Sequence, residues 1–310
     1  MITASSSSPS PSIRQPVSLL GAGGAATALG VALVAAGIEV SAVWSRRLEH
    51  AQALATRLPG ALACSHPQSA ADRGALVVLA VPDSAIVPLC AQLRWRSGQA
   101  VIHLAGAYGR ELLAPAAQAG AETGAFHPLQ TFAGRADPAA WHGVAVAIEA
   151  DPPLATELAS LARRLGAEPF SLDPVQRPLY HAAAALAANG LTALAGVAAD
   201  LLHRATGLER EAAVRHLLPL LRGVLVNLEQ LGLPQALTGP VARADRATLE
   251  RHVAALARET PEWLALYRAL AEAMLPLARE RAANDRERLA ALDALADWLA
   301  SAESGEGVSR

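Results

Sequence analysis

Short apolar runs alternate with helically periodic stretches through the first half of the chain. Runs at 17–20 (VSLL), 39–44 (EVSAVW), 75–82 (ALVVLAVP), 100–106 (AVIHLAG) and 144–150 (VAVAIEA) read as strands. The GAF before His127 continues the series, and GALACS near Leu62 is a weaker member. Apolar positions at helical spacing lie between them, at 25–36, 48–58 and 111–119. Strands of continuous apolar character alternating with helices predict a mainly parallel sheet covered on both faces. From 179 onward the period changes. Ala/Leu-rich helical segments run at 179–206, 209–231, 246–259, 261–281 and 286–300, with no strand candidate among them. Thr260 and Pro261 read as N-cap and first-turn proline. The predicted fold is an α/β domain with a mainly parallel sheet, followed by an all-α domain, with the boundary near Asp173-Pro174. The expected divisions are a tail over 1–15, the α/β domain over 16–172, the helical domain over 173–301 and a frayed end over 302–310. The Ser/Pro-rich tail buries too little surface to order itself and reads as disordered.

Composition narrows the function. A chain of 310 residues suits two domains. A net charge of −2 supplies no basic face, so no nucleic-acid partner is expected. No apolar run reaches the roughly 18 residues of a membrane span without a charge, proline or glycine break. The N-terminus lacks the basic start and apolar core of a secretory signal. The reading is a cytoplasmic protein without a membrane partner. Cys64 and Cys90 have no CxxC or ligand spacing, so they read as buried thiols, and no metal site is expected. The chain contains no lysine. Arginine carries all the fixed positive charge, and its proton is not available for transfer.

Gly21-Ala22-Gly23-Gly24-Ala25-Ala26 reads as GxGxxA. It follows an apolar strand, opens an apolar-periodic helix and precedes a second strand, the setting a dinucleotide fingerprint requires. The first Gly permits a tight turn, the second lets a pyrophosphate approach the helix N-terminus, and the small third residue lets helix and strand pack. The second strand ends in Ser45-Arg46-Arg47, where an NAD site carries a carboxylate. A hydroxyl and a guanidinium suit a 2′-phosphate, so the expected cofactor is NADP(H). Ser45 can equally serve as a helix N-cap. Two later strand ends are expected to line the same cleft: Val81-Pro82-Asp83, where Asp83 or Ser84 can also cap the next helix, and Ala105-Gly106, small enough for a nicotinamide to lie close.

The glycine loop, WSRR, AVPDSAI, HLAGA, FHPLQTFA (126–133), YHAAAALAANGLTAL (180–194) and ALTGPVARAD (236–245) together resemble proteins that join a Rossmann-like domain to a DUF2520 domain. The resemblance covers 17–299 and extends to the group of 6-phosphogluconate dehydrogenase, pyrroline-5-carboxylate reductase and ketopantoate reductase. It implies an NADP-binding domain, a helical domain that builds a homodimer, and a small-molecule substrate site between the domains. Some members are described as ketopantoate reductases and many others only as NADP oxidoreductases. Three departures stand out. The lysine acid/base of the hydroxyacid dehydrogenases is absent, Ala105 replaces a frequent serine, and Ala244 stands where glycine is usual.

Without lysine, histidine is the natural acid/base among the nine present. His127 ends a strand before Pro128, and Gln130 follows in the same motif. His181, Ala185 and Asn189 lie at i, i+4 and i+8 and are expected to share one helix face; polar groups on an Ala/Leu face need partners if buried, in the cleft or in a helix–helix hydrogen bond within the bundle. The expectation is that Asn189, which resembles the interdomain asparagine of the hydroxyacid dehydrogenases, orients the substrate carbonyl. His181 then donates the proton, and His127 lies near the nicotinamide. Arg243 and Asp245 are candidates for substrate binding, with a structural ion pair and an Asp245 N-cap as the alternative. His103 reads equally as a satisfied core histidine. His252 and Tyr267 are weaker candidates that join the Arg243 cluster or simply pack. The functional expectation is reduction of a small carboxylate-bearing ketone or imine, ketopantoate reductase-like or pyrroline-5-carboxylate reductase-like. The alternative is an NADP-binding sensor or scaffold without turnover.

Overall fold

The computed structural model describes residues 13–134 and 137–304. The chain divides into two compact units, one ending at Asn189 and one beginning at Gly190. The first carries strands β1 (Val17–Leu20), β2 (Val40–Trp44), β3 (Leu62–Cys64), β4 (Leu76–Leu79), β5 (Ala100–His103), β6 (Glu122–Pro128), β7 (Ala145–Ala150) and β8 (Glu168–Ser171). They form a single eight-stranded sheet in the order β3-β2-β1-β4-β5-β6-β7-β8. All neighbours are parallel except β6 and β7, which run antiparallel. Helices α1 (Gly24–Ala35), α2 (Leu48–Ala55), α3 (Pro67–Ala71), α4 (Asp83–Gln92), α5 (Ala114–Gln118) and α6 (Leu154–Arg164) connect them. Alternate strand residues feed two cores. Val17, Leu19 and Val78 pack with α1 and α6, whereas Leu20, Val77 and Leu79 pack with α3, α4 and α5. Strand order reverses between β1 and β4, so a crevice opens beyond their carboxyl ends.

Helix α7 (Arg177–Ala185) passes through a π-helical turn, Leu186–Gly190, into α8 (Leu191–Thr206). Helices α9 (Arg210–Leu231), α10 (Gly239–Ala242), α11 (Arg246–Glu259), α12 (Leu264–Arg281) and α13 (Arg286–Ser304) complete the helical unit. Its core gathers Val241, Leu249, Ala271, Leu275, Leu292, Leu295 and Leu299. Helices α8 and α9 contribute little to it; each has a single fully buried residue, Ala199 and Ala213. The stretch Pro174–Thr206 is by length and mean hydropathy able to cross a membrane, and its most apolar window is only 6% buried.

Several expectations are corrected. The helix expected over 111–119 is a 3₁₀ turn, Arg110–Leu113, followed by α5, because Pro115 in the first turn of α5 suits a fresh start. β8 was not anticipated; its sequence, EPFS, is a half-exposed edge with no apolar run. The strands expected over 75–82 and 100–106 stop at Leu79 and His103. Residues 1–12 of the expected tail and 305–310 of the expected frayed end lie outside the described residues. Residues 13–14 of that tail pack: Ile13 is buried, and Arg14 pairs with Glu122 at 2.7 Å and with Glu157 at 3.1 Å. Cys64 and Cys90 are buried and free, and burial pushes both thiols above their ordinary range.

Candidate active site

The glycine turn sits at the carboxyl end of β1. Gly21 has φ +131°, and an added Cβ would stand 2.1 Å from the Ala80 carbonyl oxygen, so only glycine fits. Its N–H donates to the Trp44 carbonyl at 2.8 Å, which ties the turn to β2. Gly23 is the N-cap of α1 and provides no side-chain cap; no acidic residue occupies the first turn. A Cβ on Gly23 would meet nothing within 4 Å. A helix start with no side-chain cap and open space at Gly23, with Ala26 fully buried against the sheet, fits a pyrophosphate, although the backbone of Phe132 and Gly134 stands close to Gly24. Ser45 is half-buried, and Arg46 is exposed without a salt bridge among the described residues. Arg47, not Ser45, takes the N-cap position of α2, so Ser45 is not spent on capping. Pro82 is likewise the N-cap of α4, and neither Asp83 nor Ser84 caps it; Asp83 is exposed in the first turn. A cavity of about 320 Å³ beside the turn joins Ala22 and Thr27 to His50 and Arg57.

A second constellation gathers beyond β5 in the same unit. Gly106 is buried with a histidine on either side. A Cβ there would stand 2.5 Å from His181 Nδ1 and 2.6 Å from His127 Nε2. The two imidazoles lie edge to face, with centroids 6.0 Å apart. His127 Nδ1 shares a hydrogen bond with the Tyr180 hydroxyl at 2.7 Å. Nδ1 of His181 is buried with no hydrogen-bond partner. An orphaned buried nitrogen costs free energy unless another atom meets it, so His181 Nδ1 stands out as a candidate position.

Beneath lies a buried ion pair. Arg177, only 2% exposed, donates through Nε and Nη2 to Glu149 Oε2 at 3.1 and 2.8 Å. Its Nη1 reaches the Gly106 carbonyl at 3.5 Å, and Glu149 Oε1 accepts from the Arg110 N–H at 3.2 Å. The pair therefore pins the loop after β5 to β7 and to the start of α7. His103 is the satisfied core histidine: Nε2 meets the Gly109 carbonyl at 2.7 Å and Nδ1 accepts from the Ala105 N–H.

Electrostatics set the protonation states. Burial, then the neighbouring His181, Arg177 and His103, lowers His127 to about 4, so it is a neutral imidazole near pH 7. Burial raises Tyr180 to about 12, so it is a phenol. Neutral imidazole and phenol together can pass a proton along one hydrogen bond.

The structure thus brings His127, His181 and Gly106 together. Asn189 is exposed within the π turn, a rare irregularity that is frequent at functional sites. Gln130 is exposed, and its amide oxygen accepts from the Thr131 N–H. Asp245 caps α11 through the Thr248 N–H and hydroxyl, which hold its carboxyl below the usual range. Arg243, 60% exposed, stands 4.0 Å from Asp245. His252 and Tyr267 hydrogen-bond to each other at 2.7 Å. Sequence reasoning missed Tyr180, Arg177 and Glu149. Tyr180 adjoins a chosen histidine, and Glu149 is the one charge in VAVAIEA; Arg177 carried no signal. No cluster of three His, Cys, Asp or Glu side chains able to hold a metal occurs among the described residues.

Sheet order and glycine turn define the class, a Rossmann-like protein with a dinucleotide-type turn. Residues 1–128 match the Rossmann-like domain family and residues 144–274 match the domain of unknown function DUF2520. Among curated proteins none matches it. Among solved structures, a putative NADP oxidoreductase from Bacteroides fragilis is similar at 26% identity, over 84% of this chain and 98% of its own, with a TM-score of 0.70. A reductive aminase from Aspergillus terreus, solved with NADPH4, cyclohexanone and allyl amine, is similar at 19% identity over 93% and 99%, TM-score 0.61. The 1-pyrroline-5-carboxylate reductase of Streptococcus pyogenes follows at 14% identity over 92% and 98%, TM-score 0.55. At such identity the last two are likenesses of fold.

Proposed function

We propose that this chain is an NADP(H)-dependent oxidoreductase that reduces a small carboxylate-bearing ketone or imine. The observation that carries the reading is the convergence of two half-buried imidazoles on Gly106, in the unit that holds the glycine turn. The Bacteroides relative's name, NADP oxidoreductase, supports the cofactor class. When bound, the dinucleotide supplies the hydride. The chain's own residues do the rest. The first-turn N–H groups of α1 hold the pyrophosphate, and Ser45 with Arg46 takes the 2′-phosphate. His181, through its orphan Nδ1, holds the proton destined for the substrate oxygen or nitrogen. His127, kept neutral and backed by Tyr180, orients the same atom, and Asn189 assists from the π turn. Ketopantoate and pyrroline-5-carboxylate are the first substrates to try.

The test has two stages. NADPH and NADH are titrated by fluorescence against the wild type and Arg46→Ala. A preference for NADPH that falls roughly tenfold in the variant supports the 2′-phosphate pocket; equal affinities overturn it. NADPH consumption is then followed with ketopantoate, pyrroline-5-carboxylate and related 2-oxo acids. His181→Ala is expected to lower kcat by about 100-fold or more while leaving NADPH affinity unchanged. Tight NADPH binding with no turnover of any substrate favours a sensor or scaffold instead.

The same reading includes a homodimer through the helical unit. Leu220, Val224, Leu225, Val226, Leu228 and Leu231 of α9 are all exposed in the single chain, with Leu220 at 66%. Exposed apolar side chains in such number on one helix mark an interaction surface, and a second copy offers the same α9 surface in return.

A further inference from the structure

A cavity of about 590 Å³ opens within the helical unit, and all its lining residues fall between Leu201 and Tyr267. Neither the glycine turn nor the His127–His181 pair contributes to it. Leu201, Ala205, Ala255, Leu256 and the Tyr267 ring give it a mostly apolar wall. Four polar features interrupt that wall. Thr260 is 4% exposed, and its hydroxyl, which the sequence assigned to helix capping, caps nothing and has no hydrogen-bond partner. Arg204, at the rim, makes no hydrogen bond or salt bridge among the described residues, although its charge helps hold Glu259 ionised. Arg258 is already paired with Glu259 at 2.8 Å. His252 and Tyr267 satisfy one another at 2.7 Å, which leaves the far ring nitrogen of His252 open.

The charge balance of this wall is one cation in excess, and its one fully buried hydroxyl is idle. A guanidinium with no hydrogen bond or salt bridge among the described residues, beside an apolar hollow, is complementary to a carboxylate on an apolar body. We propose that this cavity is a second binding site, for a small apolar monocarboxylate. The acid's carboxylate lies on Arg204 and accepts from the Thr260 hydroxyl, and its hydrocarbon lies over Leu201, Leu256 and the Tyr267 ring. The volume falls within the roughly 300–1,000 Å³ of small-molecule sites and accommodates an aromatic or medium-chain aliphatic acid. The site goes beyond the proposed oxidoreductase reading and does not depend on it.

Isothermal titration of the full chain with hexanoate tests this, with 1-hexanol as the neutral probe. Saturable binding of one hexanoate per chain is expected, with hexanol much weaker. Arg204→Gln, an exposed and unpaired position, is expected to weaken hexanoate by roughly tenfold or more. Ala255→Trp, which fills the hollow, is expected to abolish binding of both probes. NADPH affinity, measured on the same samples, is expected to stay unchanged, which separates this site from the glycine turn. Absence of saturable hexanoate binding, equal affinity for hexanol, or undiminished binding in both variants overturns the proposal. Loss of NADPH binding in the wild type overturns the oxidoreductase reading and leaves this one standing.

Discussion

Ala244 is the one non-glycine residue with positive φ among those described, at 54°. It lies in ALTGPVARAD, just before the Asp245 cap of α11. A left-handed backbone costs an L-residue roughly 1–2 kcal/mol, and glycine escapes that cost while giving back some unfolded-state entropy. Ala244→Gly is therefore expected to stabilise the chain by about 0.5–1 kcal/mol, seen as a higher urea midpoint at unchanged m. His127 makes a second prediction at this scale. Its folded pKa, about 4, lies below the unfolded value of roughly 6.5. Between those values the unfolded chain binds a proton that the folded chain refuses. The contribution of His127 is therefore full above pH 6.5 and is lost as pH falls toward 4, by on the order of 3 kcal/mol. Urea titrations at several pH values should show that slope, and His127→Gln should flatten it.

At the scale of elements, the Arg177–Glu149 pair joins three pieces of chain: the loop after β5, strand β7 and the start of α7. Removing one partner strands a buried charge, so Arg177→Met is expected to cost about 3–5 kcal/mol. Adding Glu149→Gln removes that charge and keeps an acceptor for the Arg110 N–H, so the double variant should recover most of the loss in thermal melts. Nothing in the sequence announced this pair. Its members are 28 residues apart, with no periodicity to link them. The β1–α1–β2 unit was legible because an unbroken apolar run, a glycine turn and a periodic helix all agree there. β8 was not, because an edge strand with one face in water needs no apolar run. The site was half legible. His127 and His181 carry sequence motifs, but that they flank Gly106 is a fact of tertiary packing. The π turn at Asn189 was invisible, since the same Ala-rich sequence reads as ordinary helix.

For the whole molecule, the exposed faces of α8 and α9 decide behaviour in solution. A helix that is apolar on most sides must be covered by something. Sedimentation of the wild type is expected to show a dimer in detergent-free buffer. Val224→Glu combined with Leu228→Glu should yield monomers, because charges desolvated across such a face are strongly unfavourable. A wild type that stays monomeric, or that partitions into lipid vesicles instead, removes the homodimer.

The two buried thiols make the molecule its own stopwatch. A thiol that is shielded and held in its neutral form reacts with an alkylating reagent only when the structure around it opens. Cys64 stands on the edge strand β3, and Cys90 lies inside α4. Alkylation followed by mass spectrometry is expected to modify Cys64 before Cys90, timing the fraying of the sheet edge against the opening of the core without any label being introduced.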